Sequence, residues 1–134
     1  MTKKLIRILI VLLLVAPLSL AQEVHYANQI SVAWNPVVDS GAISYQVYIS
    51  PYPVVDPLDP DAHMLVSETT STQAVVTFSG EGKFAIGVRT KKEFEGETLY
   101  SDINWSFENG ESTPNPFIVG RYLPPDAVLN LRVE

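Results

Sequence analysis

The residues able to do chemistry are few, and the densest group lies in one proline-rich run, where Asp56, Asp59, Asp61 and His63 fall within eight positions. Carboxylates at that spacing could hold Ca²⁺. Such a site takes six or more oxygen ligands and a glycine at its sharp turn, and this run contains no glycine. Asp56, Asp59 and Asp61 are therefore weak metal candidates, and a solvated acidic loop is the better expectation. The other histidine, His25, has no partner at ligand spacing. The chain has no cysteine, which removes disulfides, thiol nucleophiles and thiolate metal sites. No glycine-rich phosphate loop, nucleophile elbow or paired-histidine zinc motif occurs. Asn104-Trp-Ser106 matches a glycosylation acceptor, but it sits in a stretch that reads as strand. Neither catalysis nor a cofactor is expected.

The first residues set the expected compartment. Lys3, Lys4 and Arg7 form a basic start, Ile8 to Val15 is unbroken apolar sequence, and Pro17 ends it. Ser19-Leu20-Ala21 supplies small residues where a signal peptidase reads, so the expected cut follows Ala21. An uncleaved anchor is the alternative, yet the apolar core is short for a bilayer span of about 20 residues. Secretion to the periplasm or beyond is the expectation, with no membrane contact after cleavage. Past that cut, 6 basic residues face 15 acidic ones, a formal charge of −9 over 113 residues. That sign repels phosphate backbones and anionic lipid, which argues against nucleic-acid binding.

The elements that must position any site read as strands. Ile30 to Trp34, Tyr45 to Ile49 and Phe84 to Val88 place a large apolar residue at every second position, the period of a strand buried on one face. Asn35-Pro36 and Asp39-Ser40-Gly41 punctuate the first pair. Pro51, Pro53, Pro57 and Pro60 make residues 51–61 a stiff loop, and His63 to Ser67 reads as a short edge strand. Gln73 to Phe78 is rich in β-branched residues. Lys91 to Thr98 reads as a polar hairpin loop around Gly96, and Tyr100 to Phe107 as the last core strand. Nothing has the period of an amphipathic helix.

Trp34, Tyr45-x-Val47-x-Ile49 and Phe84-x-Ile86-x-Val88-x-Thr90 together resemble a fibronectin type III domain, within the immunoglobulin-like superfamily. Phe78, six residues before Phe84, has the spacing of the leucine and tyrosine of that family's tyrosine corner, and Ser101 with Ile103 resembles its final strand. Position 84 departs from the pattern, since phenylalanine has no corner hydroxyl. The resemblance covers residues about 28–108 and implies an all-β, antiparallel β-sandwich of about seven strands occupying residues 22–108. It places Ile30, Val32, Trp34, Tyr45, Val47, Ile49, Val76, Phe78, Phe84, Ile86, Val88, Ile103 and Trp105 inward. Ser31, Ala33, Gln46, Tyr48, Ala85, Gly87 and Arg89 would face outward. Tyr48 would then cover the gap left by Gly87; its competing role is an exposed aromatic for a partner.

The resemblance further implies binding through loops at one pole or through an open sheet edge. Here those are the Pro51–Asp61 loop, the Lys91–Thr98 loop and the edge beside Ile30–Trp34. A protein partner is the leading expectation. A sugar-binding accessory module is the rival, and it requires Tyr48, Tyr52 and Tyr100 to lie exposed in one plane. An enzyme would require a deep pocket with convergent titratable groups.

Residues 109–134 read as a linker followed by an extra strand. Pro114-Asn-Pro116 marks the linker and Phe117-Ile-Val-Gly is an apolar patch inside it. Near the end, Leu129, Leu131 and Val133 alternate, which resembles the first strand of a following domain in tandem arrays. Glu23-Val-His-Tyr is a poor first strand by comparison. The tail is then a loose extension, a strand docking in cis, or a strand donated to another copy. The last gives self-association, as in a strand-donating subunit of a surface polymer.

Overall fold

The computed structural model describes residues 22–123 and 127–133, so the expected leader and the expected cut after Ala21 lie outside the described residues. Nine strands follow in chain order: β1 (Glu23–Tyr26), β2 (Gln29–Ala33), β3 (Ala42–Pro51), β4 (Met64–Thr69), β5 (Gln73–Thr77), β6 (Gly82–Phe94), β7 (Glu97–Tyr100), β8 (Asn104–Trp105) and β9 (Phe117–Arg121). Among the described residues the only helical turn is a 3-10 turn at Pro60–Ala62. The fold is all-β, with about nine strands rather than about seven.

Both edges of β6 are used. One pairs antiparallel with β3 over ten residues, from Ala42 opposite Glu93 to Pro51 opposite Phe84. The other carries three short strands in succession: β9 near the start of β6, β8 at its middle and β7 at its end. Beyond these, β4 pairs with β3 and β1 with β9, which completes a seven-stranded sheet. The β1–β9 pairing is parallel, so the sheet is mixed rather than purely antiparallel. β2 and β5 form a separate antiparallel pair. The hairpin from β6 to β7 turns on Glu95 and Gly96 alone, with φ of 51° and 79°, the two positive values that a tight two-residue turn demands. Most of the expected Lys91–Thr98 loop is therefore strand.

The face of the large sheet turned toward β2 and β5 holds Val47, Ile49, Ile86 and Val119, packed on Val76 and Phe78. Phe78 and Phe84 meet ring to ring at 5.2 Å. The other face is covered as well. Tyr48, Ala85, Ile103 and Trp105 form a second buried cluster, capped by Tyr52, Val54 and Phe107. Ile103 and Trp105, expected in the first core, thus belong to the second. The proline-rich loop folds over this face, where Trp105 Nε1 donates to the Pro57 carbonyl at 2.8 Å. His63 stands edge-on to the Trp105 ring at 4.7 Å, with its ring nitrogens 3.0 Å from Ser50 Oγ and 2.9 Å from the Asp56 carbonyl. Gly87 is the close approach: a Cβ there would sit 2.5 Å from Ile103 Cγ2 and 2.8 Å from the Trp105 ring. Those two side chains fill the gap, and Tyr48 stands directly opposite Gly87 on β3 in the same cluster.

The folded unit also runs past residue 108. Phe117–Arg121, expected within a linker, is β9, and its Ile118 and Val119 are both buried. Glu23–Tyr26, expected as no more than a poor first strand, is its parallel partner. Gly120 permits this contact, since a Cβ there would lie 2.9 Å from the Tyr26 ring. Two buried neighbours in succession are what a strand covered on both faces requires.

If β9 is integral, Ile118→Ala should lower the unfolding free energy by about 2–5 kcal/mol. Trp105→Ala should cost about 3–5 kcal/mol through the second core. Urea denaturation of each variant measures both, and a change under about 0.5 kcal/mol, the level of an ordinary surface substitution, would place that residue outside the packed structure.

Candidate functional site

The sequence candidates fall in three separate places. Tyr48 is 3 % exposed, with its hydroxyl donating to Gln46 Oε1 at 3.0 Å. Arg89 donates to the same oxygen at 2.8 Å. Its guanidinium lies 5.6 Å from the Tyr48 ring centre and 4.0 Å from that of Tyr100, a cation–π arrangement. Tyr52 packs on Phe107 at 5.6 Å, half-buried. The three tyrosines therefore present no shared exposed platform.

Beside Tyr48, Gln46 Nε2 donates to Glu68 at 3.0 Å, and Lys91 Nζ reaches the other oxygen of that carboxylate at 2.9 Å. The Gln46 hydrogen bond, then the Lys91 ammonium, hold the Glu68 carboxyl below its ordinary range. Glu68 in turn raises Lys91 above its ordinary value. This network fixes β3, β4 and β6 together on the outer face.

In the proline-rich loop, Asp59 Oδ1 accepts from the Asp61 amide at 3.0 Å and caps the 3-10 turn. Asp56 contributes its backbone carbonyl to His63 and sits at φ 51°. Among the described residues, no three His, Cys, Asp or Glu side chains are grouped to hold a metal. Asp56, Asp59 and Asp61 act as loop-forming residues here.

The remaining site was visible in the sequence only as an edge. A groove of about 770 Å³ runs beside β2. Ile30, Val32 and Trp34 line one side of its apolar floor, with Tyr45, Ile86 and Val88 from the large sheet. Ile30, Val32, Trp34 and Val88 are only half-buried, whereas Val47, Val76 and Val119 deeper in the same core are fully buried. The far wall is a segment from Ser101 to Pro114, fastened where Asn104 Nδ2 donates to the Ser112 carbonyl at 3.2 Å and Thr113 Oγ1 donates to Asn104 Oδ1 at 3.1 Å. Asn104, the glycosylation candidate, is thus engaged in building that wall. His25, Asp102 and Glu111 stand at the rim.

Hydrogen bonding along β2 fixes which backbone groups face the groove. The ladder to β5 is closed at its two ends by Phe78 N donating to the Asn28 carbonyl and Trp34 N donating to the Thr72 carbonyl, both at 2.9 Å. Antiparallel pairs alternate between bonded and non-bonded positions. Residues 28, 30, 32 and 34 therefore bond toward β5, and the amides and carbonyls of Gln29, Ser31 and Ala33 point to the other side. No described strand pairs with β2 on that side. Trp34, which lines the groove, also has a buried Nε1 without a hydrogen-bond partner, an unmade bond that costs about 1–3 kcal/mol. The site is an unpaired strand edge beside an exposed apolar floor.

Leu129, Leu131 and Val133 form no strand and are 82 %, 91 % and 99 % exposed. No family model, curated protein or solved structure matches the chain.

The Glu68–Lys91 pair sets a pH dependence. A carboxyl depressed by folding stabilises the fold above its unfolded value, and that contribution disappears as pH falls through the lower folded value. Stability should drop on acidification through and below the ordinary carboxylate range, less steeply in Glu68→Gln. Lys91, raised by folding, adds the matching loss on the strongly alkaline side. Thermal melts of both proteins from neutral to acid pH check this; identical slopes would remove Glu68 from the account.

Proposed function

We propose that the chain is a secreted or periplasmic, non-catalytic fibronectin type III-like module that binds protein, taking an extended segment onto the free edge of β2. Adding a strand to an exposed edge draws affinity from main-chain hydrogen bonds and specificity from pockets for alternate side chains. The carrying observation is that the outward groups of Gln29, Ser31 and Ala33 lie beside the half-buried Ile30, Val32 and Trp34. An arriving strand satisfies the first set and covers the second.

The family reading has its own support. β2 and β5 stand apart from β3, β6 and the strands that follow, the division between the B, E and C, F, G strands of an immunoglobulin-like sandwich. The basic, apolar and small-residue succession of residues 3–21 supports export. The sugar-binding alternative loses its platform with Tyr48 buried.

Selection of random peptides on residues 22–134 tests this reading. The selected peptides should be extended, with apolar residues at every second position. Ser31→Pro removes one outward amide without touching the ladder to β5 and should weaken them at least about tenfold, the equivalent of one hydrogen bond worth about 1.4 kcal/mol. Unchanged binding by a variant with an unaltered melting curve would contradict the edge as the site.

A further inference from the structure

We infer that the groove beside β2 is filled by residues Ala127–Val133 of a second copy of this chain, added antiparallel to β2, so that copies join head to tail. The inference rests on the proposed edge-binding function and names its occupant.

The segment has the composition the groove calls for. Leu129, Leu131 and Val133 repeat at the strand period, as do Ile30, Val32 and Trp34 across from them. All three tail residues are almost wholly solvent-exposed, the condition in which burial gains most. Asn130 lies at φ 52°, a value asparagine adopts readily and leaves readily for extended backbone. The formally charged groups at the groove rim, Asp102 and Glu111, are acidic, and the one charge among residues 127–133 is Arg132.

Polarity decides between a molecule's own tail and that of a neighbour. β9 ends where Arg121 donates to the Ser79 and Gly80 carbonyls, both at 3.0 Å, and Leu123 N donates to Glu81 Oε1. This is the pole at which β2 begins, because Asn28 bonds Phe78 there. An antiparallel strand must enter from the opposite pole, beside Trp34. To get there, a molecule's own tail would cross the five-residue length of β2, about 17 Å. Residues 124–128 reach about the same distance fully extended, which leaves nothing for reversing direction. Its own tail could enter only parallel to β2, the less stable pairing per residue. A neighbour's tail enters antiparallel without that constraint. Each copy then gives a tail at one pole and receives one along β2, a heterologous contact that generates an open chain.

The test mixes two variants of residues 22–134. Leu131→Asp spoils the tail and keeps the groove; Ser31→Pro keeps the tail and spoils the groove. Sedimentation equilibrium at about 0.15 M salt limits repulsion between the acidic copies, since the Debye length there is about 8 Å. Unsubstituted protein should show mass rising with concentration through several multiples of the monomer. Each variant alone should be monomeric, and their equimolar mixture should form a 1:1 dimer and nothing larger. Melting curves confirm that both variants fold. A monomeric unsubstituted protein, or a mixture that stays monomeric, overturns the inference. In that event, binding of the selected extended peptides to Leu131→Asp shows that the edge-binding reading stands without it. Their failure to bind shows that both fall.

Discussion

The whole structure depends on the two edges of β6. β3 fills one for ten residues, and β9, β8 and β7 share the other. Because β9 takes the first stretch, it offers its own outer edge to the N-terminal residues, and β1 pairs there. The chain that precedes β2 is thereby drawn to the large sheet. Among the described residues β2 pairs only with β5, and a two-stranded pair is marginal without packing support. Its contact with the large sheet through Val76 and Phe78 supplies that support. The open edge is a consequence of where β1 goes.

The same arrangement explains the half-buried floor. Core residues under the missing neighbour, Ile30, Val32, Trp34 and Val88, keep part of their surface in water, while Val47, Val76, Phe78 and Val119 do not. On the opposite face the loop of residues 52–63 lies over Trp105 and Tyr48 and closes that side. One face of the large sheet is sealed by its own loop and the other is incomplete along one edge. The proposed binding edge lies where the packing is unfinished.

The strand runs around Trp34, Tyr45 and Phe84 were legible because each alternates, and alternation states which residues share a face. It does not state which face is covered. Ile103 and Trp105 share a face with Tyr48 rather than with Val47, and only the placement of the proline-rich loop decides that both sides are buried. Phe117-Ile-Val-Gly was harder, because Ile118 and Val119 are both buried and a strand packed on both sides does not alternate. Its length gives no further help. Glu23–Tyr26 carries little apolar signal, and it is a strand because β9 provides an edge. The groove was legible in half: the resemblance to a fibronectin type III domain implied an open edge beside Ile30–Trp34, which alternation by itself does not state. Its far wall from Ser101 to Pro114 depends on the Asn104 hydrogen bonds to Ser112 and Thr113, which no local pattern announces.

The central claim is that β2 has one free edge, and amide hydrogen exchange reads it residue by residue. In the dilute monomer, the amides of Ile30, Val32 and Trp34 should exchange slowly, while those of Ser31 and Ala33 exchange fast. Slow exchange at all five positions in a monomer would mean that another segment already occupies the edge, and the account would be wrong.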